Sequence, residues 1–356
     1  MQRPAESRPI QSPAESRQPP AASPVIEVRG LEVSFPSPSE RTGERVLKAA
    51  DDVSFALRPG EVLGLVGESG CGKSVTALSL LGLVPPPGRI TGGSAVFEGA
   101  DLLALPESTL QGIRGARISM IFQEPMTALN PVFTIGEQVA EVLRAHRRMD
   151  RARAWRGAVE ALARVGIADA ATRARAYPHE ISGGMRQRAM IAMALACGPD
   201  VLIADEPTTA LDVIVQAQIV DLLLEVQSAT GLAVLFISHD LGVISEVADR
   251  VMVMYAGRLV EEAPAEALFS GPLHPYTRGL IDTLPGGAPG DATRRRLPAI
   301  PGTVPDLRAL PQGCRFAERC PLAEDACRAA EPPLQEGADG RRVACFMAGP
   351  SFKAEP

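Results

Sequence analysis

From Val25 the chain alternates apolar and polar residues, and VIEVRGLEVSF reads as a half-buried antiparallel strand. EVLGLVG is a short apolar run that enters a Gly-rich turn and then a helix-compatible stretch, VTALSLLGL. RISMIF predicts another buried strand, running up to Gln123. Between about Ile135 and Gly166 the sequence is rich in Ala, Arg and Glu with helical periodicity, and MRQRAMIAMALAC predicts a second strong helix. Strands VLIAD and AVLFISH follow. Short apolar runs that alternate with helices predict parallel βαβ units. The alternating strands near the start predict an antiparallel sheet added to that α/β core.

The first 24 residues break this pattern. They are Pro, Ser, Gln, Arg and Glu with almost nothing to bury, and PAESR occurs twice, as expected of a disordered leader. After Leu284 the pattern breaks again. Pro285, Pro289, Pro298, Pro301, Pro305 and Pro311 predict a linker over 285–312, with a small Cys-bearing module over 313–356. The folded part is then 25–284, with a helical portion at about 124–196. At roughly 150 residues per domain, 356 residues suffice for one large and one small domain. Charged residues make up 22% and the formal net charge is −6, so nothing in the charge balance favours nucleic acid as a partner. The most apolar stretch, Ala189 to Ala204, is interrupted by Pro199 and Asp200, and a membrane crossing needs about 20 apolar residues. The N-terminus has no apolar core of the kind a secretory signal carries, so the expectation is a soluble, cytosolic chain.

The chemistry concentrates in four places. Gly67-Glu68-Ser69-Gly70-Cys71-Gly72-Lys73-Ser74 fits G-x-x-x-x-G-K-[ST] between a predicted strand and a predicted helix. Such glycines let main-chain N–H groups face phosphate oxygens at a helix N-terminus. Lys73 then reaches the β- and γ-phosphates, and the Ser74 hydroxyl is placed for Mg²⁺. Cys71 within this loop reads as a small residue that fits, or as a redox-sensitive thiol near a helix N-terminus. The strand VLIAD ends in Asp205 and Glu206, neighbouring acids that are costly to bury unless a metal or substrate offsets them. Asp205 would hold Mg²⁺ through water and Glu206 would polarise the attacking water. Ile181-Ser182-Gly183-Gly184-Met185-Arg186-Gln187 opens a helix with Ser182 at the N-cap, a second anion-binding terminus that a single-site hydrolase does not need. His239, after the strand AVLFIS, is placed to hydrogen-bond a γ-phosphate.

Together these residues resemble the ATP-binding cassette (ABC) ATPases over roughly Val25 to Tyr276. The loop, Gln123 in IFQEPMTALNP, ISGGMRQR, VLIADEP, TTALD and SHD stand in that family's order. The resemblance implies a P-loop NTPase core: a RecA-like parallel sheet with an antiparallel β-subdomain, a helical subdomain and the Cys-containing C-terminal module. It also implies a head-to-tail dimer around two ATP molecules, with Ser182, Gly183 and Gly184 meeting the partner's γ-phosphate and Asp212 communicating between sites. Gln123 would contact Mg²⁺ and couple to a membrane partner, Glu206 would be the catalytic base, and His239 the switch histidine. Phe35 is the nearest candidate for the adenine-stacking aromatic, although an insertion (Pro36 to Glu44) follows it. Met185 departs from the family's commoner Gln.

LHPYTRGLIDTLP and GCRFAERCP are similar to the oligopeptide/dipeptide importer ATPases within that family. That similarity implies a peripheral subunit on the cytoplasmic face of the inner membrane, hydrolysing ATP with Mg²⁺ to drive peptide uptake. Its implied partners are two transmembrane permeases, a second homologous ATPase or a second copy of itself, and an extracytoplasmic solute-binding protein. Nickel, glutathione and some sugar importers share these strings. A soluble, non-transport ABC ATPase is the less favoured reading. Cys314, Cys320, Cys327 and Cys345 carry no C-x-x-C pair, and four thiolates suit either Zn²⁺ or a [4Fe–4S] cluster. Some members of the resembling subfamily hold a [4Fe–4S] cluster there, which makes a structural cluster the leading expectation, with free thiols and zinc as alternatives. Arg315, Arg319 and Arg328, lying among these cysteines, read as solvated charges.

Overall fold

The computed structural model describes residues 23–36, 46–123, 128–209, 212–284, 299–337 and 339–348. The expected leader as far as residue 22, and residues 285–298 of the expected linker, lie outside them. The first strand, β1 (Ile26–Phe35), pairs antiparallel with β2 (Leu47–Leu57). Its apolar residues do not keep strict alternation: Ile26 and Val28 are followed by Leu31 and Val33, yet all four are buried. The register shifts between Val28 and Leu31 where Gly30 adopts φ +57°, and this bulge returns the second pair to the core face.

The short apolar run becomes β3 (Val62–Val66), and α1 (Lys73–Leu80) begins inside the Gly-rich motif. Strands β4 (Arg89–Phe97) and β5 (Ala100–Asp101) complete a four-stranded antiparallel sheet in the order β2-β1-β4-β5. After α2 (Glu107–Ile113) and β6 (Ile118–Ile121) come α3 (Ile135–Arg147) and α4 (Arg151–Arg164). The single helical stretch expected from Ile135 to Gly166 is thus divided. Arg148 takes a left-handed φ of 51° and Asp150 caps the next helix by accepting from the Arg153 N–H, which ends one helix and starts the other. Then follow α5 (Ala170–Arg173), α6 (Gly183–Leu195), β7 (Val201–Asp205), α7 (Val213–Thr230), β8 (Ala233–Ile237), α8 (Leu241–Val247) and the hairpin of β9 (Arg250–Tyr255) with β10 (Arg258–Pro264).

The larger sheet has at its heart five parallel strands in the order β9-β3-β8-β7-β6. Every residue of β3, β7 and β8 is buried, as expected where both faces of a parallel sheet are covered. Successive residues enter opposite cores. Val62, Leu202, Ala204, Val234 and Phe236 pack with the helices of 135–195 and α7, whereas Leu63, Val201, Ile203, Ala233 and Leu235 pack with the antiparallel sheet and α1. Among the described residues α7, with 18 residues, is the one helix long and apolar enough by length and composition to cross a membrane, which the sequence reading did not expect. Its buried side chains, including Ile219, Val220 and Leu223, belong to the first of these cores.

After α9 (Ala265–Ser270) and α10 (Pro275–Asp282), the chain runs into the Cys-bearing C-terminal segment. Helix α11 (Asp325–Ala329) and strands β11 (Gln335–Glu336) and β12 (Arg342–Val343) do form, but β12 pairs with β10 and so extends the main sheet. Val304, Leu307 and Leu310, within the expected linker, pack against the helical-side core. The fused arrangement arises because β10 would otherwise be the sheet's open edge, and the tail covers it.

Candidate functional site

Four adjacent parallel strands end on the same side, where an open α/β sheet places its ligands. Strand β3 delivers the loop 67–74, β8 delivers His239, β7 delivers Asp205 and Glu206, and β6 delivers Gln123. Residues separated by as many as 131 positions are thereby brought into direct side-chain contact.

The loop turns on its glycines. Gly72 has φ +106°, and a Cβ there would drive into the Ala49 carbonyl oxygen; at Gly67 a Cβ would meet the Met254 carbonyl. Lys73 is buried, its ammonium donating to the carbonyls of Gly67 (2.7 Å) and Glu68 (3.1 Å). Gly70 also adopts a left-handed φ, and Ser69 lies exposed beside it. The Ser74 hydroxyl donates to Asp205 Oδ1 at 3.2 Å. Burial pushes the Asp205 carboxyl above the usual carboxylate range, and the Glu206 charge adds to this, while Ser74 and Lys73 pull it back. Two hard oxygen donors, one on an acid that burial penalises when ionised, fit a Mg²⁺ ion.

Glu206 has a left-handed φ of 48°, which turns its side chain off the strand end. Its Oε2 accepts from Gln123 Nε2 (3.0 Å) and Thr209 Oγ1 (2.8 Å), and stands 3.2 Å from His239 Nδ1. The structure thus brings together Gln123, Glu206 and His239, three residues singled out separately in the sequence. Thr209 was missed; its signal was its place three residues after Glu206, with a hydroxyl able to reach back. Ser182 caps α6 as expected, accepting from the Met185 N–H, and Asp212 caps α7 by accepting from the Val215 N–H at 3.0 Å. Gly183 has open space where a side chain would be, and the Met185 side chain packs against the core. Ser182, Gly183, Gly184 and Asp212 make no side-chain bond to the loop 67–74 of their own chain among the described residues. The Phe35 ring packs against Gly88 and is half-buried in the antiparallel-sheet core.

Cys71 is fully buried, and burial raises its thiol pKa, which favours the space-filling reading over that of a redox-sensitive thiol. In the tail, Cys314, Cys320, Cys327 and Cys345 line one small cavity with His274 and Phe316, and all remain free thiols. Burial, followed by the proximity of the other sulfurs, pushes Cys314 up to about 11; burial has the same effect on Cys345, also to about 11. No three His, Cys, Asp or Glu side chains among the described residues are grouped to hold a metal ion. The four thiols converge on one cavity, but the expected [4Fe–4S] cluster gains no support from their arrangement. Arg315 and Arg319 overturn the solvated reading, since both are buried; only Arg328 is exposed, 3.8 Å from Asp325.

The family profile described as ABC transporter matches residues 50–209, and that described as oligopeptide/dipeptide transporter, C-terminal region, matches 260–327. The chain is 52% identical over 328 residues to the probable peptide ABC transporter ATP-binding protein y4tR of Sinorhizobium fredii, covering 92% of this chain and 96% of that one. It is 50% identical over 325 residues to the oligopeptide transport ATP-binding protein OppD of Escherichia coli, covering 91% and 94%. Among solved structures, the cassette MJ0796 in a dimeric post-hydrolysis state bound to ADP and Pi is similar, with a TM-score of 0.59 at 27% identity. That match covers 67% of this chain and 98% of that one.

Proposed function

Because the chain belongs to the ATP-binding subunits of ABC transporters, and among them to the peptide-import type, we propose that it hydrolyses ATP to drive uptake of di- or oligopeptides. The observation that carries the reading is the meeting of Gln123, Glu206 and His239 beside the Ser74–Asp205 pair, at the ends of neighbouring strands. Subunits of this kind work as dimers on the cytoplasmic side of the membrane, with permeases that span it.

In this reading, the main-chain N–H groups of residues 67–74 and the helix terminus of α1 hold the triphosphate, and Lys73 exchanges the Gly67 and Glu68 carbonyls for phosphate oxygens. Ser74, Gln123 and, through water, Asp205 would hold Mg²⁺, which would supply charge neutralisation for the triphosphate. Glu206 orients and polarises the attacking water, with Gln123 and Thr209 fixing its carboxylate. His239 bonds the γ-phosphate. Ser182, Gly183 and Gly184 serve the partner's nucleotide, with Asp212 between the two sites, since the terminus of α6 faces open space beside Gly183. Phe35 as the adenine-stacking residue has no support from its packing. The partners proposed are two permeases, a sister ATPase and a solute-binding protein.

The test is ATPase activity of the complex, isolated by affinity capture of the tagged chain from membranes and reconstituted in liposomes with its solute-binding protein. Stimulation by peptide-loaded binding protein is expected. Stimulation by nickel or glutathione in place of peptide refutes the peptide reading, and capture without permeases refutes transport.

A further inference from the structure

The phosphate-binding loop is braced by the C-terminal segment. Arg319 stands beside Cys320, 251 positions from Glu68, and grips its carboxylate with two parallel bonds: Nη1 to Oε2 at 2.6 Å and Nη2 to Oε1 at 3.0 Å. The guanidinium is fixed on every side. Its Nε donates to the Pro301 carbonyl at 2.8 Å, Nη1 donates also to the Tyr255 hydroxyl at 3.3 Å, and its plane lies over the Tyr255 and Phe316 rings. The Glu68 main-chain N–H donates to the hydroxyl of Tyr276, a fully buried residue of α10 (2.9 Å). Arg315, one turn earlier, donates to the Ala256 carbonyl (2.6 Å) and to Asp51. The hairpin turn it holds reaches the far end of the loop, where the Gly257 N–H donates to the Cys71 carbonyl at 2.9 Å.

We propose that Arg319 is a positioning residue for ATP binding, which holds the Glu68 carboxylate outside the phosphate cradle and keeps the loop in its anion-binding shape. The inference rests on the loop being the ATP site. A carboxylate within an eight-residue anion-binding loop opposes a triphosphate unless something neutralises it and draws it aside. A buried guanidinium in two-pronged contact does both, and only arginine presents that fork. Freed from Arg319, the Glu68 carboxylate is no longer drawn away from the bound phosphates, and the loop loses a tie to the C-terminal segment at that residue.

The experiment compares steady-state ATP kinetics of the full chain in its reconstituted transporter for wild type, Arg319→Ala, Glu68→Gln and the double variant. Arg319→Ala is expected to raise the KM for ATP about tenfold, equivalent to about 1.4 kcal/mol, with kcat within threefold of wild type. In the Glu68→Gln background the same substitution is expected to change KM less than twofold, because no charge remains to hold. A purely structural role would lower the amount of folded protein and kcat without this split, and would persist in the Glu68→Gln background. An unchanged KM in Arg319→Ala, or an equal loss in both backgrounds, overturns the proposal. Arg319→Lys, which keeps the charge and the stem over Tyr255 but not the fork, carries the same comparison if the alanine variant does not fold, with about a threefold rise in KM expected. Wild-type hydrolysis measured alongside tests the ATP reading separately, and its absence fails both.

Discussion

Asp51 is the acid on which the C-terminal segment, β2 and the β9–β10 turn converge, and replacing it with Asn removes a charge that three cations share. Its carboxylate accepts from Lys48 Nζ at 2.7 Å, Arg258 Nε at 3.0 Å and Arg315, and the residue is 3% exposed. Burial alone would raise its pKa, but Lys48, Arg315 and Arg258 together outweigh that and hold it down at about 2. Against an unfolded value of about 3.8, this depression corresponds to about 2 kcal/mol of folding stability at neutral pH. Because the folded pKa is the depressed one, this stability is present above the unfolded pKa and is lost as pH falls through the folded one. About half has gone by pH 3. Asp51→Asn should therefore lower the urea-unfolding free energy by about 2–3 kcal/mol at pH 7 and by about half as much near pH 3. Among the described residues, Arg315 then stays buried with Glu331 as its remaining acidic partner, at 2.8 Å. The assay is urea unfolding of the full chain followed by circular dichroism at pH 7, 5, 4 and 3. A loss under about 0.5 kcal/mol at pH 7, or one that is the same at pH 3 as at pH 7, would refute the view of Asp51 as an ionised, buried hub.

Three other outcomes follow from the site. Glu206→Gln keeps the side chain's shape and its donors from Gln123 and Thr209 but not its charge. ATP binding should stay within about threefold and turnover fall ~100-fold or more, read by a fluorescent nucleotide and by phosphate release. Gly72→Ala places a Cβ against the Ala49 carbonyl at a left-handed φ that itself costs ~1–2 kcal/mol, so ATP affinity should fall at least tenfold in the same titration. Cys71, whose thiol is buried and raised in pKa, should resist a thiol-specific chromogenic reagent at pH 8 until the chain is unfolded; inactivation by mild oxidation that disappears in Cys71→Ser would contradict this.

Much of this protein follows from local sequence alone. Continuous apolar runs such as VLIAD and AVLFI can be buried on both faces only in a covered parallel sheet, and β7 and β8 are such strands. The glycines of 67–74 demand backbone conformations that other residues resist, so the loop was legible from spacing; Ser182 before two glycines announced its own cap. The break at Arg148 and Asp150 was not legible, because helical periodicity continues through it and only the cap geometry ends the first helix.

Tertiary structure alone decided the company these residues keep. Gln123, Glu206 and His239 meet because β6, β7 and β8 are adjacent in the sheet, an order that no local pattern encodes. The four tail cysteines suggested a metal site by number alone, and it is the fold that brings Cys314, Cys320, Cys327 and Cys345 to one cavity. Arg315 and Arg319 look like any solvated arginine in one dimension. Whether a charge is solvated depends on what lies opposite it in space, and here that is Asp51 and Glu68, more than two hundred residues away.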